Sequence, residues 1–211
     1  GDSVTWTQTY DTPNAGTGKT LTPAGTVSDG NGGANYDVTY ATVTTGAITT
    51  KELTVTGLTG TAKTYDGTTD AAATGTAALS GIVGGDTVTL GGTPVYTFVS
   101  RNIGTPVSIG TTGYTIGGTH AANYHLTQPT LSANITKRAI TVTAATGTKT
   151  YDGTTSSAGT PTITTGSLGT GDSVTWTQTY DTPNAGTGKT LTPAGTVSDG
   201  NGGANYDVTY A

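Results

Sequence analysis

Lys63-Thr64-Tyr65-Asp66-Gly67-Thr68-Thr69 recurs as Lys149-Thr150-Tyr151-Asp152-Gly153-Thr154-Thr155. Each copy follows a threonine-alternating run, Leu53-Thr54-Val55-Thr56 in one case and Ile140-Thr141-Val142-Thr143 in the other. A heptapeptide held at a fixed place behind a strand-like run marks a position in a repeating unit, so the period is the first thing to establish. Asp-Gly is turn chemistry. The stretch therefore reads as punctuation between strands and not as an active site.

Working outward, residues 1–41 are identical, position by position, to residues 171–211, an offset of 170. Inside that period the two Tyr-Asp-Gly motifs lie 86 residues apart. Two repeat types alternate. Residues 1–50 read as the C-terminal part of a type A repeat, residues 51–136 as a complete type B repeat, and residues 137–211 as a type A repeat lacking its last strand. The missing strand is legible at the front of the chain, where Ala41 continues through Thr42–Thr50. With no initiator Met, the sequence reads as a window on something longer, its end strand supplied by the rest of the protein or by another copy. Between repeats, Ile135-Thr136-Lys137-Arg138-Ala139-Ile140 runs from one strand into the next without a Pro- or Ser-rich hinge, which predicts a stiff rod.

Val4, Trp6, Gln8 and Tyr10 alternate with Thr5, Thr7 and Thr9, the signature of a half-buried strand. Asp11 to Gly16 is a turn, Ser28 to Gly33 a glycine-rich loop, and Tyr36, Val38 and Tyr40 alternate again. In type B, strands are expected at 53–56, 76–79, 87–90, 95–99, 106–109, 124–127 and 131–135. Asn123-Tyr124 matches Asn35-Tyr36 and Asn205-Tyr206, and Asn102-Ile103-Gly104-Thr105 matches Asn14-Ala15-Gly16-Thr17. Seven short strands in a repeat of this size fit an all-β chain of tandem small antiparallel sandwiches of immunoglobulin-like type, with a mostly-β grasp-like domain as the alternative. Tyr36, Tyr65, Tyr124 and Trp6 are expected as core anchors with a polar tip at the domain edge.

Composition agrees. Thr is the commonest residue, there are 34 Gly, and only 10% of residues are charged against about 25% in an ordinary globular domain. No Cys is present, which removes disulfides and thiolate metal sites. The net charge of -5 argues against nucleic acid, which needs a basic face. No run of 18 apolar residues appears, so no direct membrane insertion is expected in this window.

The ordered set of Ile-Thr-Lys, Thr-Val-Thr, Lys-Thr-Tyr-Asp-Gly-Thr-Thr, Gly-Asp-x-Val-Thr, Asn-x-Gly-Thr and Asn-Tyr resembles the YDG-type repeat of large bacterial surface adhesins of the filamentous-haemagglutinin kind. The signature falls on Tyr65, Asp66, Gly67 and on Tyr151, Asp152, Gly153. The resemblance implies a secreted or surface-attached array in which such domains form a stalk carrying an adhesive tip. The loop from Asp29 to Asn35 is longer and more polar than the family leads one to expect.

Several look-alikes carry chemistry elsewhere. Gly16-Thr17-Gly18-Lys19-Thr20 ends like a phosphate-binding loop, but the required first Gly is Pro13. Gly1-Asp2-Ser3-Val4 looks like a hydrolase nucleophile block, yet the only histidines, His120 and His125, lie in the middle repeat. At five residues apart those two also fall on opposite faces of a strand and make a poor zinc pair. Asp29, Asn31 and Asp37, with Asp66 and Asp152, offer calcium-type oxygens without the EF-hand spacing or a bidentate Glu, so turn hydrogen bonds are the plainer role. Lys63 and Lys149 are the residues for an internal amide crosslink to Asn102 or Asn123 assisted by Asp66 or Asp86; solvated lysine is the plainer reading. An aromatic sugar platform at Trp6 and Trp176 competes with burial, which the alternation favours.

No cofactor and no catalytic constellation is expected. The expected role is a non-enzymatic extracellular stalk or surface fibre, whose partners are neighbouring repeats and other copies. The alternative is a module binding carbohydrate or a neighbouring fibre through its repeated loops.

Overall fold

The computed structural model describes residues Gly1–Ala211. Fifteen strands follow in order: β1 (Ser3–Tyr10), β2 (Gly16–Ser28), β3 (Val43–Ile48), β4 (Lys51–Gly60), β5 (Lys63–Thr64), β6 (Ala73–Ser80), β7 (Thr89–Phe98), β8 (Gly104–Gly117), β9 (Tyr124–Thr127), β10 (Leu131–Thr136), β11 (Arg138–Thr143), β12 (Thr162–Thr165), β13 (Ser173–Tyr180), β14 (Leu191–Ser198) and β15 (Tyr206–Tyr210). The only helical element is the 3-10 turn Ala121–Asn123. The chain is all-β, as its Thr, Val, Ile and Tyr alternation predicts, and is built from several small sheets.

Contacts gather into two compact units that do not follow the repeat boundaries. Unit 1 comprises Gly1–Thr56, Ala77–Thr93 and Gly113–Gln128; unit 2 comprises Gly57–Thr76, Pro94–Thr112 and Pro129–Ala211. Strands β4, β6, β7 and β8 contribute residues to both. These strands are longer than the sequence predicts: Gly91-Gly92, which reads as a break, lies inside β7, so 87–90 and 95–99 are not separate strands. Pairing is mostly antiparallel, but β4 with β9, β5 with β10 and β11 with β15 run parallel, a departure from the all-antiparallel expectation. Each brings together strands remote in sequence, which no local turn constrains to run antiparallel.

In unit 1, β1, β2 and β3 form an antiparallel sheet, and Lys51–Thr54 of β4 pairs with Tyr124–Thr127. In unit 2, Tyr65, Phe98, Val107, Ile109, Ala133, Ile135, Ile140, Val142, Val197 and Tyr206 make one continuous buried cluster drawn from several sheets. This is where the apolar area of the chain is concentrated, and burial of this kind is the main favourable term in folding.

The identical stretches 1–41 and 171–211 separate local preference from context. Both hairpins keep one register, Ser3 opposite Ser28 and Ser173 opposite Ser198. Tyr206–Tyr210 is a strand because β11 lies beside it in parallel register; residues 36–40, without such a neighbour, are not in a strand. Conversely, residues 16–20 are strand where β3 pairs with them, and residues 186–190 are not. Trp6 is 52% exposed, whereas its equivalent Trp176 packs against the buried cluster. In both hairpins the Trp lies over the Gly opposite it, Gly25 or Gly195, and stands edge-on to Tyr40 or Tyr210. A Cβ on Gly195 would fall 2.2 Å from the Thr175 carbonyl oxygen, so only glycine fits beneath the ring.

Candidate functional site

The Lys-Thr-Tyr-Asp-Gly-Thr loop is a clasp closed by its own lysine. Lys63 Nζ donates to Asp66 Oδ1 at 2.9 Å, to the carbonyls of Thr68 and Asp70 at 2.9 Å each, and to Thr68 Oγ1 at 3.1 Å. Asp66 Oδ1 also accepts from the Thr68 amide at 2.8 Å, the Asx turn that this residue type makes. Lys149 repeats the arrangement with Asp152 at 2.8 Å and the Thr154 carbonyl at 2.7 Å. The sequence reads both lysines as solvated; Lys149 is exposed and Lys63 half-buried, and each amine also closes its own loop. The Lys149 contact, with the Thr154 amide and hydroxyl, lowers the Asp152 carboxyl to about 2. For Asp66, desolvation pushes upward but the Lys63 and Thr68 hydrogen bonds outweigh it, and the net shift is downward.

With the loop fixed, its tyrosine projects into a joint. Tyr65 is fully buried, edge-on to Tyr206 at 5.5 Å between centroids, and its hydroxyl donates to Asp172 Oδ1 at 3.2 Å. Asp172 Oδ2 accepts from Tyr206 Oη at 2.6 Å, and Tyr206 Oη accepts from the Gly169 amide at 2.6 Å. Desolvation, then the hydrogen bond to Asp172, raises the Tyr206 phenol to about 12. Gly67, at φ +85, lies so close to Thr170 that a Cβ would meet its carbonyl oxygen at 2.4 Å, while the Thr170 amide donates to the Asp66 carbonyl at 2.8 Å. The glycine of the motif is thus required twice, by its backbone angle and by the neighbouring chain.

A second set of contacts lies beside the first. Asn205, fully buried, accepts from the Ile103 amide at 3.0 Å through Oδ1 and donates to Asn102 Oδ1 at 3.1 Å through Nδ2. Arg101 donates to the Asp199 carbonyl at 2.6 Å and stands 3.6 Å from Asp172. All of this lies within unit 2 and links type B residues to type A residues.

Unit 1 repeats the asparagine contacts with the types exchanged. Asn123 accepts from the Ala15 amide at 2.8 Å and donates to Asn14 Oδ1 at 3.1 Å. Tyr124 Oη donates to Asp86 Oδ2 at 2.5 Å and accepts from the Val83 amide at 2.9 Å. Asp86, Asn123 and Tyr124 occupy the places of Asp172, Asn205 and Tyr206. Pro13 precedes Asn14 where Arg101 precedes Asn102, so the arginine belongs to one joint only.

Profile comparison accounts for the recurrence: the YDG domain matches residues 49–131 and again 136–211. The chain belongs to the YDG domain family. No curated protein and no solved structure matches it. In the first copy of the YDG signature the tyrosine, aspartate and glycine are joint residues: Tyr65 inserted, Asp66 shaping the loop, Gly67 admitting the neighbour, whereas Tyr151 of the second copy is exposed.

The other sequence candidates fall elsewhere. The Asp29 carboxylate accepts from the amides of Asn31, Gly33 and Asn35 at 2.8, 2.8 and 3.2 Å, bonds that hold it below the usual carboxylate range, and Asp199 does the same in the second copy. Asn31 Nδ2 donates to Asn35, and Asp37 is exposed. These oxygens, like those of Asp66 and Asp152, are met by N–H groups that shape loops, and no three acidic or histidine side chains gather as a metal-ligand group. Lys63 bonds Asp66, whereas Asn102 and Asn123 pair with asparagines, so the amide-crosslink residues are held by different partners. His120 Nδ1 accepts from the Thr87 amide at 2.8 Å, and His125 lies on β9. Asp172, Asn102 and Asn205 were not legible as partners; the available signal was that Gly-Asp, Asn-x-Gly-Thr and Asn-Tyr recur in every repeat.

Proposed function

We propose that this YDG chain is a non-enzymatic structural segment of an extracellular bacterial adhesin stalk or surface fibre, whose repeats lock end to end to give reach and stiffness. The observation that carries this reading is the joint. The same asparagine contacts recur at a B-to-A and an A-to-B connection, each beside a tyrosine-aspartate hydrogen bond made within one repeat, and it is this shared contact between neighbours that supports the reading. A short linker backed by hydrogen bonds between the repeats leaves few torsions free to bend.

Small-angle scattering on arrays of one, two and three periods tests it. The expected result is a maximum dimension that grows in proportion to repeat number and is unchanged by a calcium chelator. Compact particles, or a length that saturates, would count against the stalk. Stiffness lost on chelation would move Asp29 and Asp66 from loop-shaping to metal-holding roles.

A further inference from the structure

The parallel pairings share a plan. In type B, β4 stands at the start of the repeat and β9 near its end, and Lys51–Thr54 lies beside Tyr124–Thr127. β5 also comes early and β10 comes last, and Lys63–Thr64 lies beside Ile135–Thr136. In type A, β11 opens the repeat and β15 is a late strand, with Arg138–Val142 beside Tyr206–Tyr210. In each pair an early strand of a repeat is joined to a late strand of the same repeat, whereas the hairpins β1–β2 and β13–β14 are antiparallel.

That plan decides how a pull along the chain is borne. Tension drags the start of an early strand toward the N-terminus and the end of a late strand toward the C-terminus. In a parallel pair those drags run in opposite senses along one axis, so the strands part only by sliding and their evenly spaced hydrogen bonds share the load. An antiparallel hairpin pulled at its open end loses its bonds one at a time. The parallel pairs are also reinforced at their ends. The Arg138 amide donates to the Asn205 carbonyl and the Ala211 amide to the Val142 carbonyl, each at 2.9 Å. The Tyr65 amide donates to the Thr136 carbonyl at 2.9 Å, so the signature tyrosine prolongs the β5 pair, whose Lys63 is tied into the clasp. Thr127 Oγ1 donates to Glu52 Oε1 at 2.5 Å across the β4 pair. Leu53, Ile135, Ile140 and Val142 on these strands are buried, and a slip of one residue would turn them out of the core.

We propose that these early-to-late parallel pairs are tension-bearing clamps, which hold each repeat closed when it is pulled from its two ends. The claim rests on the reading of the chain as part of a stalk, which supplies the pull. The clamps make resistance to load a property of direction: a repeat is strong along the chain and weak when the same strands are peeled apart.

Single-molecule force spectroscopy tests the proposal, and because the chain has no Cys, introduced cysteines fix the points of pull. Thr50→Cys with Thr127→Cys loads β4 and β9 in opposite senses. Thr50→Cys with Ala122→Cys pulls the same end of both strands and peels the pair. In type A, Lys137→Cys with Ala211→Cys and Lys137→Cys with Ala204→Cys make the same comparison for β11 and β15. All of these positions are exposed, and circular dichroism and urea midpoints confirm that each variant folds with unchanged stability. At one loading rate the sliding geometry should break at about twice the force of the peeling geometry or more, since forced unfolding reads the unfolding barrier and not the equilibrium stability. Equal forces in either comparison, or a lower force on sliding, would overturn the proposal. Compact particles in scattering would remove the stalk without touching this difference, so the two readings fail separately.

Discussion

Asn35 and Asn205 are the same residue of the same sequence in two settings, which isolates the value of a joint hydrogen bond. Asn205→Ala leaves the half-buried Ile103 amide and Asn102 without this partner and is expected to cost about 1–2 kcal/mol, within the range for polar groups left unsatisfied. Asn35→Ala, on an exposed loop, should change stability by less than about 0.5 kcal/mol. Urea denaturation of the two variants checks the difference; equal effects would mean that the contact contributes only locally. Titration behaves with equal clarity. Asp152 is held at about 2, below its unfolded value, so its contribution is present above about pH 4 and is lost as pH falls toward 2. Tyr206 is raised to about 12, so its contribution is present below about pH 10 and is lost as pH climbs through 12. The expected profile is a plateau with two shoulders. Tyr206→Phe should lower the plateau and flatten the alkaline shoulder, read from unfolding midpoints between pH 8 and 12; an unchanged alkaline slope would reassign it.

Strands in this chain are made by neighbours as much as by propensity. Tyr206–Tyr210 and residues 36–40 share one sequence, and only the copy beside β11 is a strand. Amide exchange should therefore show protection at Val208 and Tyr210 and fast exchange at Val38 and Tyr40; equal protection would mean that the front of the chain finds another partner. The same dependence explains what the sequence revealed and what it withheld. The Val4-Trp6-Gln8-Tyr10 alternation predicted β1 and its twin, because side-chain period is a local property. The expected strands 87–90 and 95–99 are instead one, since residues 91–94 between them, Gly91-Gly92 included, are strand beside their neighbour. The parallel pairings were hidden for the same reason: nothing in Arg138–Val142 announces that Tyr206–Tyr210 will lie alongside. At the joint, the Asp66-Gly67 pair announces a turn locally, but the partnership of Tyr65 with Asp172, more than a hundred residues away, has no local signature.

At the scale of the molecule the two connections share the asparagine contacts, and the B-to-A joint adds Arg101, where Pro13 stands in the other, and the inserted Tyr65. The B-to-A joint thus has an added cation beside Asp172 and the Asp199 loop, while the A-to-B joint relies on amides. What couples neighbours in both is the pairing of asparagine 123 or 205 with its counterpart. Both partners are neutral amides, and neutral groups feel no ionic atmosphere. A chain assembled through such pairs keeps its couplings when it passes from dilute medium to brine, where a surface held together by ion pairs would loosen.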